Sequence, residues 1–372
     1  MIKKVVFCTL RNNKGATGGP GGVLFMLKEY INSPQDELLQ FQYRFNTISK
    51  NLKGCAYYLN RLFFILRVIF EKNVYYIAHD IDSAYLLSRL HKKYSLVYHQ
   101  QGPLVQELKN FGNNLSPDKI KKIQYKEKEA FTKAYSIHFP SHGAEMMYFT
   151  NKYKACTSDK VKIGVPLYNT IPHSNIKRVN NIKEDKDVLT FFSLGTLTHA
   201  KGQDNVINFF KQYMPLTSRQ IRYIIVGNGP LKTLLLEKCE ELSHDFSNFT
   251  YHYFERLEHE EVMFLHKISD IYIMMHRLSI FDFATLEAMS QDNAIILSNI
   301  GGNLDFNKKD NIIYVDNNNY KKAIKEFQER DLNTLKRINK EVYNEYFSIN
   351  AFKRNYLGLI HYNLKKLNNE NA

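Results

Sequence analysis

The stretch HRLSIFDFATLEAM, residues 276–289, follows a short apolar run, IYIMM, at 271–275. An apolar strand, a polar corner and then a helix start present a helix N-terminus at the end of the strand. First-turn N–H groups lack intrahelical partners, and the helix dipole favours negative charge there. Glu287 projects from early in that helix, placed to accept hydrogen bonds from sugar hydroxyls. An anion site beside a hydroxyl acceptor points to a sugar nucleotide.

Other loops carry related chemistry. NNKGATGGPGG follows the first apolar run and contains Gly15, Gly18, Gly19, Gly21 and Gly22. Glycines allow close backbone approach, so N–H groups there can cradle a phosphate; the alternative is a merely flexible loop. Neither the Walker ending nor the G-x-G-x-x-G spacing is present, which weakens ATPase and dehydrogenase readings. Tyr98-His99-Gln100-Gln101-Gly102 closes another strand, and His99 can hydrogen-bond a sugar hydroxyl or orient a phosphate. His79-Asp80, closing the strand before it, competes for that role. FFSLGTLTHAKGQD places Lys201 between a strand and a helix, as a point charge for a diphosphate or as a solvated helix-start lysine. Two further glycine corners are Gly227-Asn228-Gly229-Pro230 and Gly301-Gly302-Asn303-Leu304-Asp305.

The elements that must position these loops alternate strand and helix in both halves, the pattern of parallel sheets in α/β domains. It predicts strands near 3–9, 38–45, 74–78, 95–99, 136–139 and 160–163, then 188–194, 220–226, 250–254, 271–275, 294–298 and 311–315. Helices are expected near 22–31, 55–71, 82–92, 118–134 and 142–150. The polar stretch 166–187 breaks the pattern and reads as an interdomain linker. The expected organisation is a Rossmann-like domain at 1–170, a linker at 171–187 and a second Rossmann-like domain at 188–345. Residues 346–372 form a last helix. Ligands of doubly wound sheets bind at the carboxyl ends of the strands, where the loops above fall.

At 372 residues the chain is comfortable for two domains, and its apolar fraction of 44% excludes wholesale disorder. The start, MIKKVVFCTL, has too short an apolar run for a signal peptide, and no stretch of about 18 uncharged apolar residues occurs. Cys8, Cys55, Cys156 and Cys239 are scattered without metal-ligand or disulfide spacing, which fits a reducing cytoplasm. Residues 1–180 hold 27 Lys and Arg against 12 Asp and Glu, a balance of +15, while 181–372 hold 24 against 25. That asymmetry points to a polyanionic partner of the first half, such as an anionic membrane surface, or to a basic surface without a partner. The stretch CAYYLNRLFFILRVIF at 55–70 reads either as a core helix or as an interfacial membrane helix, with Lys50, Lys53 and Lys72 beside it.

Taken together these residues resemble the retaining glycosyltransferases of the GT-B fold, family 4 (glycosyl transferases group 1) in particular. The likeness runs over nearly the whole chain and is strongest over 189–315. The family's Gly-Arg-Leu-x-x-x-Lys-Gly reads here as Gly195-Thr196-Leu197, three residues, then Lys201-Gly202. Its Gly-Asp-Gly-Pro reads Gly227-Asn228-Gly229-Pro230, its Leu-Glu-Ala-Met is intact at 286–289, and YFSINAFKRNYLGLI resembles the C-terminal helix that crosses back to the first domain. The resemblance implies His99, Lys201 and Glu287 as catalytic residues. It implies donor contacts at Gly21, Gly22, Thr196, Gly229, Arg256, Ser279, Phe281, Asp282 and Phe283.

Two departures stand out. Thr196 replaces the family's phosphate-binding arginine, so Arg277 or His199 is left to supply the charge. Ser279 replaces the first of two glutamates eight positions apart, so Ser279 or Asp282 is left to meet the donor sugar; Glu287, the second, would hold the ribose. What the family implies is metal-independent hexosyl transfer, without a cofactor, from a UDP-linked nucleotide sugar to a glycan or lipid-linked acceptor. The anomeric configuration is retained. In the first half's charge we read a peripheral enzyme of surface polysaccharide or lipopolysaccharide synthesis on the cytoplasmic leaflet. The alternatives are a non-catalytic GT-B partner subunit and a basic nucleic-acid-binding protein; no zinc-finger spacing or RNA-recognition signature supports the last, and nucleic acid is not an expected partner.

Overall fold

The computed structural model describes residues 4–12, 19–31, 42–48, 55–100, 102–110, 112–180, 182–316 and 319–369. Gly15, Gly18, Lys50 and Lys53 lie outside the described residues. The chain divides into two compact units, Met1–Pro172 with Ile349–Ala372, and His173–Ser348.

In the first unit the strands are β1 Lys4–Asn12, β2 Gln42–Ile48, β3 Val74–Ala78, β4 Tyr94–Val97 and β5 Ile137–His138. They form a parallel sheet in the order β2-β1-β3-β4-β5. The strand runs of β3 and β4 are buried along their whole length, as parallel strands covered on both faces must be. The chain moves outward from β1 to β2 and then returns to the other side of β1, so the sheet's switch point lies between β1 and β3. The last helix, Ile349–Asn369, belongs to this unit. Its buried Asn363 donates to Tyr75 Oη of β3 at 2.9 Å and reaches Ser95 Oγ of β4 and Ser136 Oγ at 3.3 Å each. Such a network satisfies buried hydroxyls that would otherwise cost stability, and it pins the helix to the sheet.

The second unit has β6 Val188–Leu194, β7 Gln220–Val226, β8 Phe249–Phe254, β9 Ile271–Met274, β10 Ala294–Ser298 and β11 Ile312–Val315. Their parallel order is β11-β10-β9-β6-β7-β8, which puts the switch point between β6 and β9. Its core joins Phe191, Phe209, Phe210, Tyr223 and Phe327 with aliphatic side chains from the strands. Two parallel, doubly wound α/β units are the architecture expected above.

Three local expectations change. The stretch 160–163 is not a strand: a 3-10 turn, Ser158–Lys160, precedes a single bridge from Ile163 to Ile137. Gly164 N–H still donates to Ile137 O at 2.8 Å, but the chain then leaves the sheet edge. A short helix, Leu104–Asn110, follows β4. The first helix begins at Gly19, so Gly21 and Gly22 lie in its first turn rather than in a loop. No helix among the described residues is long and apolar enough to cross a membrane.

Glu127, on the helix Pro117–Thr132, is buried beneath this unit's aromatic cluster and accepts from Tyr98 Oη and from Leu104 N–H at 3.0 Å. Burial pushes its carboxyl up from an ordinary 4.5 to about 7, against the lowering effect of those bonds. Between these values the folded chain binds the proton and the unfolded chain does not. Stability therefore falls as pH rises from about 4.5 to about 7. Glu127→Gln is expected to flatten that part of the curve of melting temperature against pH; a slope equal to the parent's counts against a protonated Glu127.

Candidate active site

The loops after β6 and β9 meet at the second unit's switch point. Gly202 makes the meeting possible: its φ is +72°, and a Cβ there would fall 1.8 Å from Met275 O. Arg277 N–H then donates to Ala200 O at 2.9 Å, joining the two loops. Lys201, just before Gly202, is thereby carried to Asp282, with Nζ 2.9 Å from Oδ1.

Asp282 caps the helix Phe283–Ser290. Its Oδ2 accepts from Thr285 N–H, Thr285 Oγ1 and Tyr272 Oη, each at 3.1 Å. The first two helical N–H groups, of Phe283 and Ala284, are left without intrahelical acceptors. Burial alone pushes the Asp282 carboxyl up, but the Lys201 ammonium and the His276 ring outweigh it and hold it well below the usual carboxylate range. His276 Nε2 lies 3.5 Å from both Asp282 Oδ1 and Lys201 Nζ. Burial lowers the His276 pKa more than Asp282 raises it, so the ring is neutral and adds no second cation.

Glu287 lies further along the same helix. His259 Nε2 donates to its Oε1 at 2.9 Å, and His266 Nε2 is 3.6 Å from Oε2. Burial raises this carboxyl, yet the two histidines bring it below the ordinary value, so it is ionised. The hydrogen bond to Glu287 in turn raises the His259 pKa. A carboxylate has about four lone-pair sites, so these contacts leave acceptor capacity for ligand hydroxyls. Nothing local in the sequence signalled His259 and His266. Their seven-residue spacing places them on one helix face, but only the fold turns that face toward Glu287.

The other expected residues separate. Ser279 is buried, and its carbonyl accepts from Gly302 N–H at 2.9 Å, which links the third glycine corner to this site. Phe281 packs its ring on Phe306 and Phe347, with centroids 4.7 and 5.7 Å away. Phe283 is half-buried and Thr196 exposed. Gly229 is required where it stands, because a Cβ would fall 2.4 Å from Leu197 O. Arg256 is exposed on the stretch after β8 and is not brought to Lys201 or Glu287 by any hydrogen bond among the described residues. Arg277 holds Asp204 through two bonds of 2.8 and 2.7 Å and also binds Asn205 and the His199 carbonyl. His199 itself is exposed.

At the first unit's switch point, His99 and His79 are partners rather than rivals. His79 Nδ1 and His99 Nε2 are 3.1 Å apart, with the rings stacked at 5.3 Å. Burial, and then the neighbouring ring, hold His79 well below its ordinary pKa, so it is neutral. Asp80 is taken up locally: it caps the helix Ile81–Arg89 and accepts from Leu10 N–H at 2.8 Å. His79 Nε2 and both amide atoms of Gln100 are buried without a hydrogen-bond partner among the described residues. Gln100 went unremarked in the sequence, since glutamine carries no spacing signal.

Residues 173–345 match the family described as Glycosyl transferases group 1. No curated protein matches the chain. Among solved structures, HepE of Anabaena in complex with UDP and glucose is similar at 13% identity and a TM-score of 0.62, over 96% of this chain and 99% of that one. A glycosyltransferase from Rickettsia africae aligns at 16% identity and 0.63, over 98% and 99%. Sucrose-phosphate synthase from Thermosynechococcus elongatus aligns at 14% and 0.61, over 98% and 100%. The shared architecture is the GT-B fold of two Rossmann-like parallel-sheet domains, and the family match supports a glycosyltransferase with that fold.

Gly202→Ala tests the loop junction. The left-handed backbone alone costs an alanine about 1–2 kcal/mol, and the contact with Met275 O adds to it. Urea unfolding is expected to show a loss larger than that figure; parent-like stability contradicts the close approach.

Proposed function

We propose that this protein is a retaining, metal-independent hexosyltransferase that uses a UDP-linked sugar and extends a glycan or lipid-linked acceptor. The observation that carries the reading is the ion pair of Lys201 with Asp282 at the start of the helix that also carries the ionised Glu287, at the switch point of a sheet within the family-matched segment. In this reading the donor's diphosphate lies against Lys201 and the N–H groups of Phe283 and Ala284. An ammonium has three N–H donors, and Asp282 takes one of them. Glu287 accepts from the ribose hydroxyls, held in place by His259. Ser279 and Asp282 are the candidates for contact with the donor sugar.

Transfer breaks the bond between the anomeric carbon and the diphosphate oxygen and forms one to an acceptor oxygen on the same face. The acceptor's proton passes to the departing phosphate. Charge that builds on that phosphate is stabilised by donors already in position, usually the largest contribution to catalysis. The basic first half and the scattered thiols fit a cytoplasmic enzyme, peripheral at an anionic membrane, in surface polysaccharide or lipopolysaccharide synthesis. A second reading, a non-catalytic partner subunit, is favoured by Thr196 and by the commitment of Arg277 to Asp204.

A thermal-shift panel of UDP-, GDP-, CMP- and ADP-sugars is expected to show stabilisation by UDP-sugars. Lys201→Ala is expected to lower turnover by about 10²–10³-fold, the cost of one lost donor to developing charge elsewhere. Glu287→Ala, which removes the acceptor of the ribose hydroxyls, is expected to lower turnover and to shrink the UDP-sugar thermal shift. Wild-type turnover in either variant removes that residue from the site. No donor hydrolysis or transfer by the purified chain favours the partner-subunit reading.

A further inference from the structure

The helix Cys55–Phe70 turns its apolar side outward. Phe64 and Val68 are buried against the first unit, whereas Tyr58, Leu59, Leu62, Phe63, Leu66, Ile69 and Phe70 are exposed, Phe63 at 67% and Phe70 at 77%. At about 100° per residue these seven fill one arc of about 140° with no polar residue inside it. Monomeric proteins rarely leave such a contiguous face to water.

The helix's C-terminal end is basic. Lys92 Nζ donates to Ile69 O and Glu71 O at 3.2 Å each, and the exposed Lys72 and Lys93 lie beside it. Glu71, the acid at this end, is already held by Arg67 at 3.1 Å and by Tyr76 Oη. Lys92 and Lys93 continue into a cavity of ≈ 530 Å³ that is also lined by Lys133, Lys160 and Lys162, with Asp159 as its acid. An apolar face bordered by lysines has the chemistry of a helix lying in the headgroup region of an anionic bilayer.

We propose that this face is the docking surface by which the first unit sits on an anionic membrane. The apolar arc enters the acyl boundary, and the lysines at the helix end contact lipid phosphates. The proposal rests on the peripheral reading above but not on sugar transfer.

The test is co-sedimentation of the full chain with vesicles of phosphatidylglycerol and phosphatidylcholine, against phosphatidylcholine alone. Binding is expected on the anionic vesicles at low salt and is expected to weaken as salt screens the lysines. The pair Leu62→Glu with Phe63→Glu is expected to lower partitioning roughly tenfold or more, with an unchanged melting curve and unchanged UDP-sugar thermal shift. Lys72→Glu with Lys93→Glu, which leaves the apolar face intact, is expected to remove the preference for anionic lipid. Parent-like binding by the first pair, or parent binding indifferent to lipid charge, overturns the docking surface while a retained thermal shift leaves the sugar-transfer reading standing. A self-associating parent that ignores vesicles, and that Phe63→Glu makes monomeric in sedimentation velocity, also overturns it by assigning the face to a second copy.

Discussion

The contact between Lys201 and Asp282 organises the second unit's ligand-facing end. One carboxylate oxygen holds the ammonium, and the other caps a helix and receives the Tyr272 hydroxyl. A buried carboxylate with so many donors is stable only as an anion, and its charge keeps the lysine in place. The same residue therefore fixes the start of the helix, the position of the cation and the direction of the open N–H groups. Removing either partner would leave the other without its compensating charge in a partly desolvated corner.

That corner exists because parallel order brings β6 beside β9, although their sequences lie about eighty residues apart. The chain leaves β6 toward β7 and β8 and returns to the opposite side, so the loops after β6 and β9 diverge to different faces of the sheet. Space opens between them at the switch point, where doubly wound sheets bind ligands. Close backbone approach at Gly202 then draws the loops together below that space. The first unit repeats the logic at β1 and β3, where His79 and Asp80 fall, with His99 and Gln100 arriving from the neighbouring β4.

The two units differ in charge and in the apolar surface they expose. In the second, nearly every charge at the site has a partner, down to Arg277 on Asp204. Both keep buried polar atoms without hydrogen-bond partners among the described residues, His79 Nε2 and the Gln100 amide in the first and His266 Nε2 and His276 Nδ1 in the second, and the first also turns an apolar helix face outward. Residues 1–180, which include most of that unit, carry the positive excess.

Short-range chemistry made much of this legible in the sequence. Apolar runs bounded by glycine and asparagine turns located most strands to within a residue or two; the second strand ends at Ile48, three residues beyond the expected 45, and 160–163 failed because one bridge is too little pairing to hold a strand. The motif residues Lys201, Asp282 and Glu287 stood out because a strand end, a polar corner and a helix start are adjacent in the chain. Pairings across long separations were not legible: Lys201 with Asp282, Arg277 with Asp204, Glu287 with His259, and Asn363 with Tyr75. Periodicity announces that a helix has an apolar face, as at 55–70, but not whether another element covers it. Elements follow from local propensity and pattern; partners and exposure follow from strand order, which is set only when the sheets assemble.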